Sequence, residues 1–143
     1  KTLNSFSDGN TEDKVLSYIK QVKDGINTGL FAILGHPDVI LSAGIKPTNN
    51  VKKAFTELIK TAYEKGVFIE LNANGIRNNG FWYPSDMLID ACIKTDAKVV
   101  VSSDCHKPEM LCDDCFKKLY AYALSCGLNI ATTEDVLNVI YRK

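Results

Sequence analysis

The chain reads as an α/β protein built on a parallel sheet, and three features of its 143 residues predict this. Short apolar runs alternate with longer stretches whose apolar residues recur at helical spacing. Glycines and N-capping residues fall at the junctions between them. The chemistry-bearing polar residues follow the apolar runs directly, at the C-terminal ends of the expected strands. Strands joined through helices pair in parallel, and the loops at that edge of the sheet converge on one site.

Residues 11–26 place Val15, Leu16, Tyr18, Ile19, Val22 and Ile26 near one face, with Thr11 suited to the N-cap and Glu12 and Asp13 to the first turn. Gly29 separates this helix from a strand at 30–34. Pro47-Thr48 opens a second helix through about residue 63, gathering Val51, Phe55, Leu58, Ile59 and Ala62 on one side, and Gly66 stops it. A second strand at 67–71 leads into a polar loop at 72–83. Pro84-Ser85-Asp86 opens a third helix at 87–94, followed by a strand at 98–101. A fourth helix covers about 112–125 and ends at Gly127. Ile130-Ala131 offers a short last strand before a helix capped by Thr132 or Thr133.

A chain of this length forms one domain and is short for a complete α/β barrel. Hydrophobic residues at 45% and charged residues at 24% fit a globular protein. Seventeen basic and seventeen acidic residues cancel, so no global field favours nucleic acid or an anionic membrane. No apolar stretch approaches the roughly 18 residues that span a bilayer. The first ten residues lack the apolar run of a signal peptide. Five scattered cysteines argue against a secreted disulfide framework, so a cytoplasmic setting is expected.

His36 and His106 are the only two histidines. His36, in Gly-His-Pro-Asp at 35–38, closes the first strand, while Asp104 and His106, in Ser-Ser-Asp-Cys-His-Lys-Pro at 102–108, follow the third. In an extended segment, residues two apart point the same way, so Asp104 and His106 can face one metal ion. Carboxylate and imidazole donors suit zinc, manganese or iron. A solvated Asp-x-His turn, and a histidine bonded to a nearby carbonyl, are the plain alternatives. After the second strand comes Arg77, one of only two arginines, whose guanidinium can fork onto phosphate oxygens or simply sit on the surface. Glu70 alternates with Phe68 and Asn72 on one face of that strand, in a position to support neighbouring groups. Cys112-Asp113-Asp114-Cys115 offers a rival zinc pair, against which stands the ordinary use of cysteine as a small packing residue.

Four motifs in order resemble one family: Gly-His-Pro-Asp at 35–38, Glu-Leu-Asn-Ala-Asn-Gly-Ile-Arg at 70–77, Tyr-Pro-Ser at 83–85 and Ser-Ser-Asp-Cys-His-Lys-Pro-Glu at 102–109. Together they resemble the C-terminal half of the polymerase-and-histidinol-phosphatase (PHP) superfamily, in its histidinol-phosphatase branch. The resemblance runs from about residue 11, with 1–10 as a flexible lead-in. It implies three to four parallel βα units of a distorted (β/α)7 barrel around a trinuclear zinc, manganese or iron site. It further implies that His36, Asp104 and His106 are metal ligands, that Arg77 meets the substrate phosphate, and that Glu70 and Asn72 shape the site without touching metal. The implied reaction is hydrolysis of a small phosphomonoester such as L-histidinol phosphate. The family's His-x-His motif, a further histidine and a metal-binding glutamate are absent from these residues, so the ligand set is incomplete. The implied partner is the missing N-terminal half of the barrel, or a second copy joined through exposed strand edges. The alternative is a non-catalytic α/β domain that binds a metal or a partner.

Overall fold

The computed structural model describes residues 11–77 and 83–141. Three parallel strands form one sheet in the order β1 (Ile33–Leu34), β2 (Phe68–Asn72), β3 (Val99–Ser102). The connections between them are helical, as parallel pairing requires. Six helices accompany the strands among the described residues: α1 (Thr11–Asn27), α2 (Asn49–Glu64), α3 (Asn74–Arg77), α4 (Asp86–Thr95), α5 (Asp114–Ser125) and α6 (Thr133–Tyr141). No helix among these residues is long and apolar enough to cross a membrane.

Local chemistry accounts for the helix boundaries. The Oγ atoms of Thr48 and Ser85 accept the N–H groups of Val51 and Leu88, capping α2 and α4. Thr132 does the same for α6, accepting the Asp135 N–H while Asp135 accepts the Thr132 N–H in return. After α2, Gly66 takes the left-handed conformation at φ +65° that ends the helix cleanly.

α1 and α4 pack against opposite flanks of α2, so these three helices form one layer over the sheet. From that layer Val15, Val51, Phe55, Leu58, Ile59 and Leu88 meet Ile69, Leu71 and Val99 of the strands in a single buried core. Because side chains alternate along a strand, Phe68, Glu70 and Asn72 point to the other side of β2. The register pairs Glu70 with Val100 and Asn72 with Ser102, which gathers polar groups at the C-terminal end of that second face.

Three expected elements differ. The first strand, expected at 30–34, is reduced to Ile33–Leu34, and Leu30 and Phe31 lie exposed. The parallel register with β2 starts at Ile33 opposite Phe68, and β1 has no second strand neighbour among the described residues. Within the expected loop at 72–83, Asn74–Arg77 forms α3, because Asn72 Oδ1 accepts the Asn74 N–H and starts a helical turn. The expected strand at 130–131 is one bridge, Val99 to Ile130. The lead-in at 1–10 lies outside the described residues, as do 78–82 of that loop.

Candidate functional site at the C-terminal edge of the sheet

Glu70 is the hub of this edge. Its Oε2 accepts the backbone N–H of His36 at 2.8 Å and the Asn72 side-chain amide at 3.3 Å. Its Oε1 accepts the Ser102 hydroxyl at 2.6 Å. One carboxylate on the central strand thus ties together the ends of all three strands. Asn72, only 1% exposed, is the next link, fixing the start of α3 through Asn74. Glu70 and Asn72 thus stand hydrogen-bonded to each other at this edge.

His36 lies two residues past β1, and Asp104 lies two residues past β3. Both carry positive φ, 22° and 44°, which non-glycine residues adopt at a cost of about 1–3 kcal/mol. Such strain gathers where a side chain must be aimed. The His36 ring lies 5.4 Å from that of Tyr83, and its Nδ1 is buried without a hydrogen-bond partner among the described residues. His106 is exposed; its Nδ1 lies 2.9 Å from the Asp104 carbonyl and 3.9 Å from Asp104 Oδ1.

These nitrogen and carboxylate donors match the preferences of zinc, manganese or iron, and the unpartnered Nδ1 of His36 fits a ligand in search of an ion. Asp104 and His106 stand together, while His36 projects two strands away. No three His, Cys, Asp or Glu side chains among the described residues are gathered closely enough to hold one metal ion. Cys112, exposed, and Cys115, half-buried, are free thiols at the start of α5.

Arg77 ends α3, and its guanidinium faces inward, with 11% of the side chain exposed. Nε and Nη2 fork onto the two carboxylate oxygens of Asp113 at 2.8 and 3.0 Å. Nη1 donates to the Ser103 carbonyl at 2.5 Å, and Nη2 also reaches Ser103 Oγ and the Met110 carbonyl. This set of contacts staples the loop that carries Asp104 and His106 onto α3.

Asp113 also caps α5 through the Phe116 N–H at 2.9 Å. The Arg77 hydrogen bond, with help from the Phe116 N–H, holds its carboxyl at about 2 against the usual 3.8. A carboxylate lowered in this way stabilises the fold above its unfolded pKa, and that stability is lost as pH falls from about 4 toward 2. Urea unfolding across that window is expected to show Asp113→Asn less stable than the parent at about pH 5. The gap should close as the pH approaches 2. A gap that stays constant with pH would contradict the assignment.

Asp38 is a site residue that sequence reasoning did not single out. It is fully buried, and its Oδ2 accepts the Ser85 N–H at 2.5 Å while Oδ1 has no hydrogen-bond partner among the described residues. Burial pushes its carboxyl up to about 6, against the opposing pull of the Ser85 hydrogen bonds. Burial, and next the Asp38 charge, push the Cys92 thiol up to about 12. Asp38 precedes the apolar Val39-Ile40-Leu41, and the sequence alone does not distinguish it from a turn residue facing water.

Comparison of the chain with protein-family models, with curated proteins and with solved structures found no match.

Proposed function

We propose that the chain is the C-terminal portion of a metal-dependent phosphomonoesterase of the PHP type, its parallel βα units forming an arc of a (β/α)7 barrel. The observation supporting this reading is the edge itself. His36 follows the C-terminal end of β1, Asp104 and His106 follow that of β3, and the Glu70 carboxylate between them bonds the His36 N–H and the Ser102 hydroxyl. In this reading His36, Asp104 and His106 hold divalent zinc, manganese or iron. The bound metal would polarise phosphoryl oxygens and lower the pKa of a bound water. Glu70 and Asn72 keep the ligands in place, and Arg77 sets a positive charge beside the Asp104 loop, where it would face the phosphate of a small phosphomonoester.

A second reading, a non-catalytic α/β domain that binds a metal or a partner, is favoured by the contacts of Arg77. Its fork is already closed on Asp113, so phosphate would have to share or displace that carboxylate.

With half the ligand set absent, this chain alone is expected to hydrolyse p-nitrophenyl phosphate no faster than the added metal does. Joined to the His-x-His-bearing segment that the reading requires, it is expected to show metal-dependent turnover. His106→Ala should then lower that turnover by more than the roughly 100-fold typical of losing a supporting residue. Turnover insensitive to His106→Ala would contradict the phosphatase reading. No turnover in either form, with metal or partner binding retained, is the outcome of the second reading.

A further inference from the structure

The His36–Asp38 turn is pinned at each of its residues. The His36 N–H donates to Glu70 Oε2, and its carbonyl accepts the Val39 N–H at 3.0 Å. Tyr18 of α1 donates its hydroxyl to the Pro37 carbonyl at 3.1 Å, and Asp38 Oδ2 accepts the Ser85 N–H. These ties fix where the His36 side chain starts, but none of them reaches its ring. An imidazole is ordinarily oriented by a hydrogen bond at one of its nitrogens. Here Nδ1 is buried and has no such bond among the described residues. The ring contact found there is with Tyr83, its centroid 5.4 Å away and its plane tilted by 45°. That separation lies within the range in which aromatic rings attract each other.

Tyr83 is itself held from two sides. Its carbonyl lies against α3 at Gly75, where even a methyl group would collide with it. Two residues on, Ser85 is bonded to Asp38 through its N–H and caps α4 through its Oγ. The Tyr83–Ser85 segment therefore runs from α3 to the start of α4 and grips the turn twice. One end lays a ring on the His36 imidazole, and the other holds the Asp38 carboxylate.

We propose that Tyr83 is a positioning residue for His36, setting the direction of the imidazole by ring packing where Nδ1 makes no hydrogen bond. What the protein gains from this rests on the reading of His36 as a functional residue of the edge. The geometry itself is testable without that reading. An aromatic pair of this kind biases an equilibrium between rotamers by roughly two- to tenfold.

The test is the rotamer ratio of His36 in the purified metal-free chain, read by NMR from three-bond couplings, with the exposed His106 as internal reference. One dominant rotamer is expected in the parent and in Tyr83→Phe, which keeps the ring. Tyr83→Leu keeps apolar bulk without the ring and should lower the ratio of major to minor rotamer roughly two- to tenfold, with His106 unchanged. Gly75→Ala, which displaces the Tyr83 segment from α3, should move the ratio in the same direction. Thr48→Ala, which uncaps α2 away from the edge, should melt lower and leave the ratio as it was. A ratio unmoved in both Tyr83→Leu and Gly75→Ala overturns the proposal and assigns the aim of the ring to the pinned backbone. A ratio that falls equally in Thr48→Ala also overturns it, as a consequence of lost stability alone. No turnover is read, so failure here leaves the phosphatase reading to its own test with His106→Ala.

Discussion

Glu70→Ala is expected to lower the unfolding free energy by about 2–4 kcal/mol. The carboxylate accepts three hydrogen bonds from three different segments, and its removal leaves the His36 N–H and the buried Asn72 amide unpaired, at about 1–3 kcal/mol for each buried group. The Ser102 hydroxyl can turn to another acceptor and adds little. Glu70→Gln should lose much less, since its carbonyl can still serve His36 and Asn72 while its amide donates to Ser102. Chemical denaturation of the two variants checks this. Equal losses for Gln and Ala would mean that the negative charge, not the hydrogen-bond geometry, holds the edge.

Gly75→Ala is the second large effect, and it reverses the usual sign. In an unconstrained helix that change stabilises by up to about 1 kcal/mol. Here a Cβ would lie 1.9 Å from the Tyr83 carbonyl oxygen and 3.0 Å from its carbon. Those atoms are backbone, so the Tyr83 segment or α3 must move. We expect a loss of about 1–3 kcal/mol, the range of overpacking, together with loss of the Tyr83–His36 ring contact. Unfolding measurements give the first quantity, and ring-proton shifts of His36 by NMR give the second. A stabilised variant with unchanged His36 shifts would contradict the close approach.

Much of the fold was legible because helical and strand periodicities rarely coincide. The alignment of Val51, Phe55, Leu58, Ile59 and Ala62 on one side of a helix is a property of spacing alone, and all five are buried. The parallel order followed from strands separated by helices. The length of β1 was not legible, because Leu30 and Phe31 are as apolar as Ile33. The ladder starts at Ile33 opposite Phe68, a limit that only the register reveals. α3 escaped notice for a similar reason. Its start depends on the Asn72 side chain folding back onto Asn74, and four residues are too few for a period.

The candidate site divides along the same line. That His36, Asp104 and Arg77 would share one edge followed from their place after the strands. That Arg77 is held by Asp113 did not, because the two are 36 residues apart and an arginine reads alike in sequence whether it meets phosphate or carboxylate. Asp38 was hidden because burial is a tertiary property: the chain near it resembles an exposed turn until α1 and α4 close over it. The positive φ at His36 and Asp104 is likewise not marked by a glycine in the sequence.

On the proposed reading, this edge binds a divalent metal through His36, Asp104 and His106. Elemental analysis of the purified chain beside Asp104→Ala tests it most directly. Zinc, manganese or iron is expected in the parent protein, with a clear drop in the variant. A metal-free parent, or a metal content unchanged by Asp104→Ala, would contradict it.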